Sequence, residues 1–312
     1  MKISDKRLSV SQRENTLKAT RFYFNSVSQS VFLPKLSRFI NKYLYKFGFA
    51  SSLNRYDNSL TVYSANADKA LYSEYKKTDR FLNFGSGAFF HSRWSNYDYP
   101  GQSTYYRSVQ GVEGKDFNAI DLCDTTLSVP EKEDSVSLIY CSHTLEHLDF
   151  SSSLRFLKEC FRILEKGGVL RVALPNTKND FYLLRCVLSQ NSISSDIKEN
   201  YIRDATKHVV AEAQQLSIAE IDDLLRISRI ESNEFFNEAT KRYGAFAEFD
   251  GSNPERHINY WDFDNLIEVV ADIGFSCCIP SYQGSSVALP FTNTHVFDNT
   301  EPQIAFYADI VK

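Results

Sequence analysis

A chain of 312 residues and 35.8 kDa, 43% apolar and 24% charged, can bury a sizeable core and is not disordered by composition. Lys and Arg number 35 against 39 Asp and Glu, a net of −4, which argues against a strongly basic nucleic-acid binder. No apolar run approaches the roughly 18 residues of a spanning helix, no charged-then-apolar leader starts at Met1, and the six Cys form no CxxC. A reducing, cytoplasmic setting is expected, without a zinc ribbon or a disulfide framework.

The mean charge hides an asymmetry. Residues 1–50 hold ten Lys and Arg and two Asp and Glu (+8), which leaves 25 against 37 (−12) for the rest. Residues 1–30 are polar and basic with weak periodicity. Pro34 then opens a helical pattern in which Leu36, Phe39, Ile40, Tyr43, Leu44 and Phe47 recur at spacings of three and four, ended by Gly48. Lys35, Arg38, Lys42 and Lys46 lie off that stripe. Such a helix either packs on the body or lies on an anionic membrane surface or a protein partner. Packing is the preferred reading, because aromatic stripes of this spacing usually face a core. Residues 1–78 are read as a basic N-terminal helical extension.

From Arg80 apolar segments of strand length alternate with helical patterns, which predicts an α/β fold with a mostly parallel, doubly wound sheet. Strands are expected at about 80–84, 94–98, 117–121, 136–142, 168–174, 275–282 and 303–311, seven in all. A helix is expected over 151–165, opened by Ser151–Ser153 and stopped by Gly167–Gly168, with Leu154, Leu157, Phe161 and Leu164 as its stripe. Another precedes Gly274–Phe275, over 262–273. Residues 177–256 interrupt the alternation. Ser217-Ile-Ala-Glu220 reads as a capping box ahead of Ile221, Leu224, Leu225 and Ile227, and a second helical pattern holds Phe235, Phe236 and Tyr243. About 80 residues are too many for a plain connection, so a helical insertion is expected, capping the carboxyl ends of the strands. The core is then 79–176 with 257–312.

The central chemical feature is Phe81-Leu82-Asn83-Phe84-Gly85-Ser86-Gly87, an apolar strand running into Gly-Ser-Gly. Glycines there allow a ligand to approach the backbone at the crevice where open α/β sheets bind nucleotides. A third glycine is missing, since Ala88, Phe89 and Phe90 follow, which counts against a dinucleotide pyrophosphate seat and an oxidoreductase. Trp94-Ser95-Asn96-Tyr97-Asp98 reads as a second strand ending in an acid able to accept hydrogen bonds from both ribose hydroxyls. Asp98 comes only eleven residues after Gly87, so a helix between them has to be very short. Asp121 closes the third strand, where a carboxylate or nearby backbone can meet an adenine edge. The fourth, Val136–Cys141, delivers Ser142-His143-Thr144-Leu145-Glu146-His147.

This order resembles the class I S-adenosylmethionine-dependent methyltransferases, and is most similar to the bacterial type 11 branch with an L-N-x-G-x-G turn, W-x-N-x-D and S-H-x-L-E-H. Here these read Leu82–Gly87, Trp94–Asp98 and Ser142–His147, followed by the long helix, Lys166-Gly167-Gly168 and a strand ending in Pro175-Asn176. The resemblance covers about residues 80–176 and 257–312. It implies a Rossmann-like seven-stranded fold, S-adenosyl-L-methionine as methyl donor, and transfer to an oxygen or nitrogen of a small or sugar-type acceptor. The branch often occurs in surface polysaccharide biosynthesis. Carried over by position, Asn83, Gly85, Ser86 and Gly87 receive the methionine portion, Asp98 the ribose and Asp121 the adenine, with Asp124 competing for the last role. Cys141, at the end of the fourth strand, joins the cofactor-binding set. Asn83 stands where many relatives have an acid, and Ser137 where the fourth strand often carries Asp. Those two departures leave a catalytically silent scaffold of the same fold as the alternative reading.

His143, at the open end of the fourth strand, is the candidate general base or acceptor contact, with His257 as a second polar acceptor contact. His147 is expected to begin or cap the next helix, its ring buried. His143 and His147 have i, i+4 spacing, but no third ligand can be located, so no metal site is expected. Nucleic acid is not expected as the acceptor, because the body carries −12.

Overall fold

The computed structural model describes residues 19–23, 32–54, 59–101, 103–200, 218–227, 238, 256–300 and 302–312. Its elements in chain order are β1 (Ala19–Tyr23), α1 (Phe32–Phe39), β2 (Phe49–Asn54), β3 (Ser59–Ser64), α2 (Ala65–Leu71), β4 (Arg80–Phe84), β5 (Ser95–Asp98), α3 (Thr104–Val109), β6 (Asn118–Ala119) and β7 (Val136–Ser142). There follow α4 (Phe150–Ile163), β8 (Leu164–Pro175), α5 (Thr177–Ser189), α6 (Ile218–Ile227), α7 (Phe263–Ile273), β9 (Cys277–Ser281) and β10 (Ala305–Val311). The expected pattern over 235–243 lies largely outside the described residues.

Seven strands form one sheet in the order β6-β5-β4-β7-β8-β10-β9. β4 through β8 pair in parallel, and β10 runs antiparallel to both β8 and β9. The expected seven strands are all present, and the order reverses between β4 and β7, which makes the carboxyl ends of those two strands the crevice of the sheet. α4 covers the sheet with Phe156, Leu157, Cys160 and Ile163, all fully buried, packed on Leu82, Phe84, Ile139 and Val172.

Helix ends follow from particular side chains. α4 is capped by the Asp149 carboxylate accepting from Ser152 N, so it begins ahead of the serine run. It ends at Ile163 because the amides of Asp134 and Ser135 capture the Arg162 and Ile163 carbonyls, and the chain passes directly into β8 before reaching the glycines. α7 has a reciprocal capping box, Asp262 with Asn265, and stops at Gly274 in the left-handed region (φ 111°).

The N-terminal part corrects the expectation of a helical extension. β1, β3 and β2 form a second, antiparallel sheet in that order. Tyr45, Ala50, Tyr63, Ala65 and Tyr72 pack with Phe81, Trp94, Leu138, Tyr140, Phe291 and Phe297 in one cluster, so the segment is part of the body's core. The buried face of α1 and of the wide π-helical turn (Ile40–Leu44) and 3₁₀ turn (Tyr45–Phe47) after it is also not the predicted stripe. Leu33, Ser37, Ile40, Asn41 and Tyr45 are buried, while Phe39, Tyr43 and Phe47 are 51%, 49% and 68% exposed. Buried polar groups won because they are satisfied. Asn41 donates to the Ser51 and Phe90 carbonyls (2.8 and 3.0 Å) and accepts from Ser51 N (2.7 Å), and Ser37 and Ser51 share a hydroxyl hydrogen bond. Arg38 and Lys42 lean on Asp116 of the body, while Lys35 and Lys46 stay exposed.

Asp68 ties these parts together. It is fully buried in α2 and takes the Tyr45 hydroxyl (2.6 Å), His91 Nε2 (2.9 Å) and the Asn293 amide (2.8 Å). Burial works to raise its pKa, but His91, Tyr45 and Asn293 outweigh it and the pKa is lowered below 3.8. A depressed carboxylate contributes stability above its unfolded pKa and loses it as pH falls through the folded one. Asp68→Asn offers one acceptor to three donors and is expected to cost about 3 kcal/mol at neutral pH. Urea unfolding of both proteins from pH 7 down to pH 3 checks this: the difference between them should shrink below about pH 4.

Candidate functional site

β4 ends in the Gly85-Ser86-Gly87 turn, and its geometry demands glycine. Gly85 has φ +65° and Gly87 φ +50°. A Cβ at Gly85 would lie 2.0 Å from Thr144 Oγ1, and the Thr144 hydroxyl is itself tied to the Ser142 carbonyl at 3.1 Å. A Cβ at Gly87 would meet the Tyr106 ring at 3.2 Å.

Asp98, at the end of β5, is 4% exposed and braces this turn. Its Oδ2 accepts Gly87 N at 2.7 Å and the Ser86 hydroxyl at 3.5 Å, and its Oδ1 accepts Tyr99 N at 2.8 Å. Burial raises its pKa, against the hydrogen bonds from Gly87, Gln110, Tyr99 and Ser86. The expected short helix between Gly87 and Asp98 is absent; the chain crosses by turns. Asn83 is buried and donates to Asn96 Oδ1 at 3.3 Å, so its amide holds β4 to β5.

Above the turn opens a cleft of about 1010 Å³, including the part continuous with solvent. It is lined by Asn83, Gly85, Ser86 and Gly87 from β4 and its turn, and by Ser142 and His143 from the end of β7. Its other walls are Ser37, Asn41 and Ser51–Leu53 of the N-terminal part and His295–Val296 and Asn299–Thr300 of the loop before β10. Among the described residues the lining contains none from 177–256, the segment expected to cap the strands; much of that segment lies outside the described residues. Sequence reading missed the N-terminal wall. The available signal was Ser37 and Asn41, uncharged polar residues at i, i+4 in the helical pattern.

His143 stands in the left-handed region (φ 49°), strained backbone for a non-glycine residue at the mouth of a strand. Its amide donates to the Ala173 carbonyl at 2.8 Å, its Nδ1 lies 3.2 Å from Glu146 Oε1, and its Nε2 is buried without a hydrogen-bond partner among the described residues. Burial works to raise the Glu146 pKa, but His143, His147 and His257 outweigh it and hold it at about 2. An ionised carboxylate beside Nδ1 favours the tautomer with its proton there, leaving Nε2 as the basic nitrogen.

Two expected cofactor residues are placed differently. The Cys141 side chain is fully buried in the core, its thiol pushed up to about 12 by burial, so only its backbone is available to a ligand. Asp121 is exposed, its carboxylate accepts Cys123 N at 2.8 Å, and it lies outside the cleft lining; β6 stops at Ala119 before reaching it. Asp124 likewise caps its own loop through Thr126. His257 also stays out of the cleft lining, beside His147.

A sheet of this order, with a glycine turn and an acid at its crevice, defines the Rossmann-like class of nucleoside-binding proteins. Residues 103–172 match the family model described as a methyltransferase domain, and that match implies S-adenosylmethionine as the methyl donor. No curated protein matches the chain. Among solved structures, an S-adenosylmethionine-dependent methyltransferase from Mesorhizobium loti is 10% identical over 78% of this chain and 96% of its own, with a TM-score of 0.38. One from Archaeoglobus fulgidus is 13% identical over 79% and 93% (TM-score 0.37), and one from Methanosarcina mazei 14% identical over 77% and 95% (TM-score 0.38). The residues present fit the methyl donor: the turn is stripped of side chains where a ligand would approach, and Gly85, Ser86 and Gly87 line the cleft beside it.

Gly85→Ala is expected to lower stability by roughly 2–4 kcal/mol, from the left-handed backbone plus overpacking against Thr144. It should also abolish calorimetric binding of S-adenosylhomocysteine. Adding Thr144→Ala should recover only the overpacking part of the stability, which thermal unfolding of the single and double variants measures.

Proposed function

We propose that this methyltransferase moves the methyl group to a hydroxyl or amine of a small, sugar-type acceptor, with His143 taking the proton. The observation that carries the reading is His143 itself: a strained residue lining the cleft, backed by an ionised carboxylate at Nδ1, with Nε2 left unpartnered. The donor supplies a methyl carbon activated by positive sulfur, so the chain's task is alignment, exclusion of water and removal of the acceptor proton. Asn83 and Gly85–Gly87 would seat the methionine portion. Asp98, at the end of β5 and outside the cleft lining, would act on the ribose side chiefly by bracing the turn.

The lining supports that acceptor class. Ser52, Asn299 and Thr300 present hydroxyls and an amide without full charges, and Phe89 and Phe90 add aromatic surface. That suits a neutral polyhydroxylated molecule, such as a sugar destined for a bacterial surface polysaccharide, better than a phosphate-rich one. With labelled donor and a panel of nucleotide sugars, glycolipids and small amines, label should pass to a sugar or amine acceptor. His143→Gln should lower kcat by roughly 10²–10⁴-fold while S-adenosylhomocysteine affinity stays unchanged. Equal kcat would remove His143 from the chemistry.

The outer face of the N-terminal part supports a second role. Phe39, Tyr43 and Phe47 are exposed on one side, with Lys35 and Lys46 nearby, and none of the helices among the described residues is long and apolar enough to cross a membrane. We place the chain in the cytoplasm, with this face touching an anionic bilayer. Co-sedimentation with phosphatidylglycerol vesicles should exceed that with phosphatidylcholine, weaken with salt, and fall in Phe39→Ser/Phe47→Ser.

A further inference from the structure

Three potential metal ligands converge just beyond the end of β7. Glu146 and His147 occupy the single helical turn Leu145–His147 that follows the strand, and His257 arrives from the segment ahead of α7, more than a hundred residues later. Backbone bonds build the convergence. The Glu146 carbonyl accepts the amides of Ile258 (2.8 Å) and Asn259 (3.1 Å), which fixes the segment bearing His257 against the turn whatever the side chains do. The His147 and His257 rings stand edge to face with centroids 4.9 Å apart. One donor atom from each of Glu146, His147 and His257 lies within 4.8 Å of the other two.

The imidazoles around Glu146 favour its charge, but the hydrogen-bonding geometry of the cluster leaves its oxygens open to a ligand. Glu146 is 2% exposed, and both its oxygens lack a hydrogen-bond partner among the described residues. The His143 ring beside Oε1 makes an ion-pair contact but not an aligned hydrogen bond. Burying a carboxylate in this state is costly unless something compensates it. His147 is oriented as metal-bound histidines are: its Nδ1 lies 3.1 Å from the Arg256 carbonyl, so that nitrogen carries the proton and Nε2 keeps the lone pair.

We infer that Glu146, His147 and His257 form a binding site for one divalent transition-metal ion of the zinc class, beside the cleft and joined to it through His143. Two imidazoles and a carboxylate suit zinc, which binds them at about 2.0–2.2 Å and leaves a fourth position open with three protein ligands. Calcium and magnesium prefer all-oxygen sets and fit poorly. A tetrahedral set at these bond lengths holds its donors about 3.4 Å apart, so the three side chains close by about 1 Å on binding, within the reach of small rotations. The inference does not depend on the acceptor being a sugar.

The test uses the full chain without an affinity tag, stripped by chelator and titrated with Zn²⁺ and with Co²⁺. One equivalent per chain is expected, with cobalt showing the visible bands of a four- or five-coordinate nitrogen and oxygen site. His257→Ala and His147→Ala should each weaken binding by at least about tenfold. Melting temperatures of the stripped variants matching stripped wild type would show that the loss is of a ligand and not of the fold. The wild-type spectrum keeps the inference open to refutation should a variant fail to fold. Absence of a stoichiometric ion in wild type overturns it, as does a sulfur-to-cobalt charge-transfer band assigning the ion to cysteine. Undiminished binding in a folded His147→Ala/His257→Ala double variant overturns it too.

Discussion

A guanidinium in the middle of the central sheet governs much of this structure. Arg171 lies on β8, fully buried, where an isolated charge would be prohibitively costly. Burial opposes its charge, but the carboxylates of Asp298 and Asp309 outweigh it and raise its pKa, while the Tyr282 carbonyl and the Tyr307 ring complete its surroundings. Asp309 belongs to the neighbouring strand, but Tyr282 and Asp298 bracket the loop between β9 and β10. The charge therefore requires that loop to fold back over the sheet, with Asp298 in the left-handed region (φ 57°) and its amide donating to the Tyr140 hydroxyl at 2.8 Å.

The cleft inherits its outer wall from that requirement. The loop held at Asp298 carries Asn293, which reaches Asp68, and His295, Asn299 and Thr300, which line the cleft. Asp68 in turn holds Tyr45 and so the N-terminal part, whose Ser37, Asn41 and Ser51 form the facing wall. A bare open sheet would leave the ends of β4 and β7 in water. Two buried ionic centres, Arg171 and Asp68, instead bring remote segments over them, which is what a reaction needing alignment and dryness demands.

Where the chain's own pattern is local, it could be read directly. The apolar runs of β4, β7 and β8, the Gly-Ser-Gly turn, the acid at Asp98 and the Asp262-to-Gly274 bounds of α7 each lie within a few residues of the group they satisfy. The β1–β3 sheet was hidden because Phe49–Asn54 reads as a Ser-rich, weakly alternating stretch, and strand pairing rather than propensity decides it. The stripe Leu36 to Phe47 misled because periodicity gives the angular spacing of apolar residues without saying which side has partners. Asn41 and Ser37, satisfied by Ser51 and Phe90, took the inner face instead.

The sequence by itself determined the sheet, its glycine turn and the methyltransferase class, because these rest on neighbours along the chain. Only the tertiary structure decided what surrounds them. Asn293 meets Asp68 across 225 residues, and the amides of Ile258 and Asn259 set His257 beside Glu146 and His147. Such contacts leave no periodic trace, since each is one pair whose partner is set by the path of the whole backbone. For the same reason Asp121 and Cys141 looked like cofactor residues from their positions at strand ends. The early stop of β6 leaves Asp121 exposed in the following loop, and the Cys141 side chain faces the core.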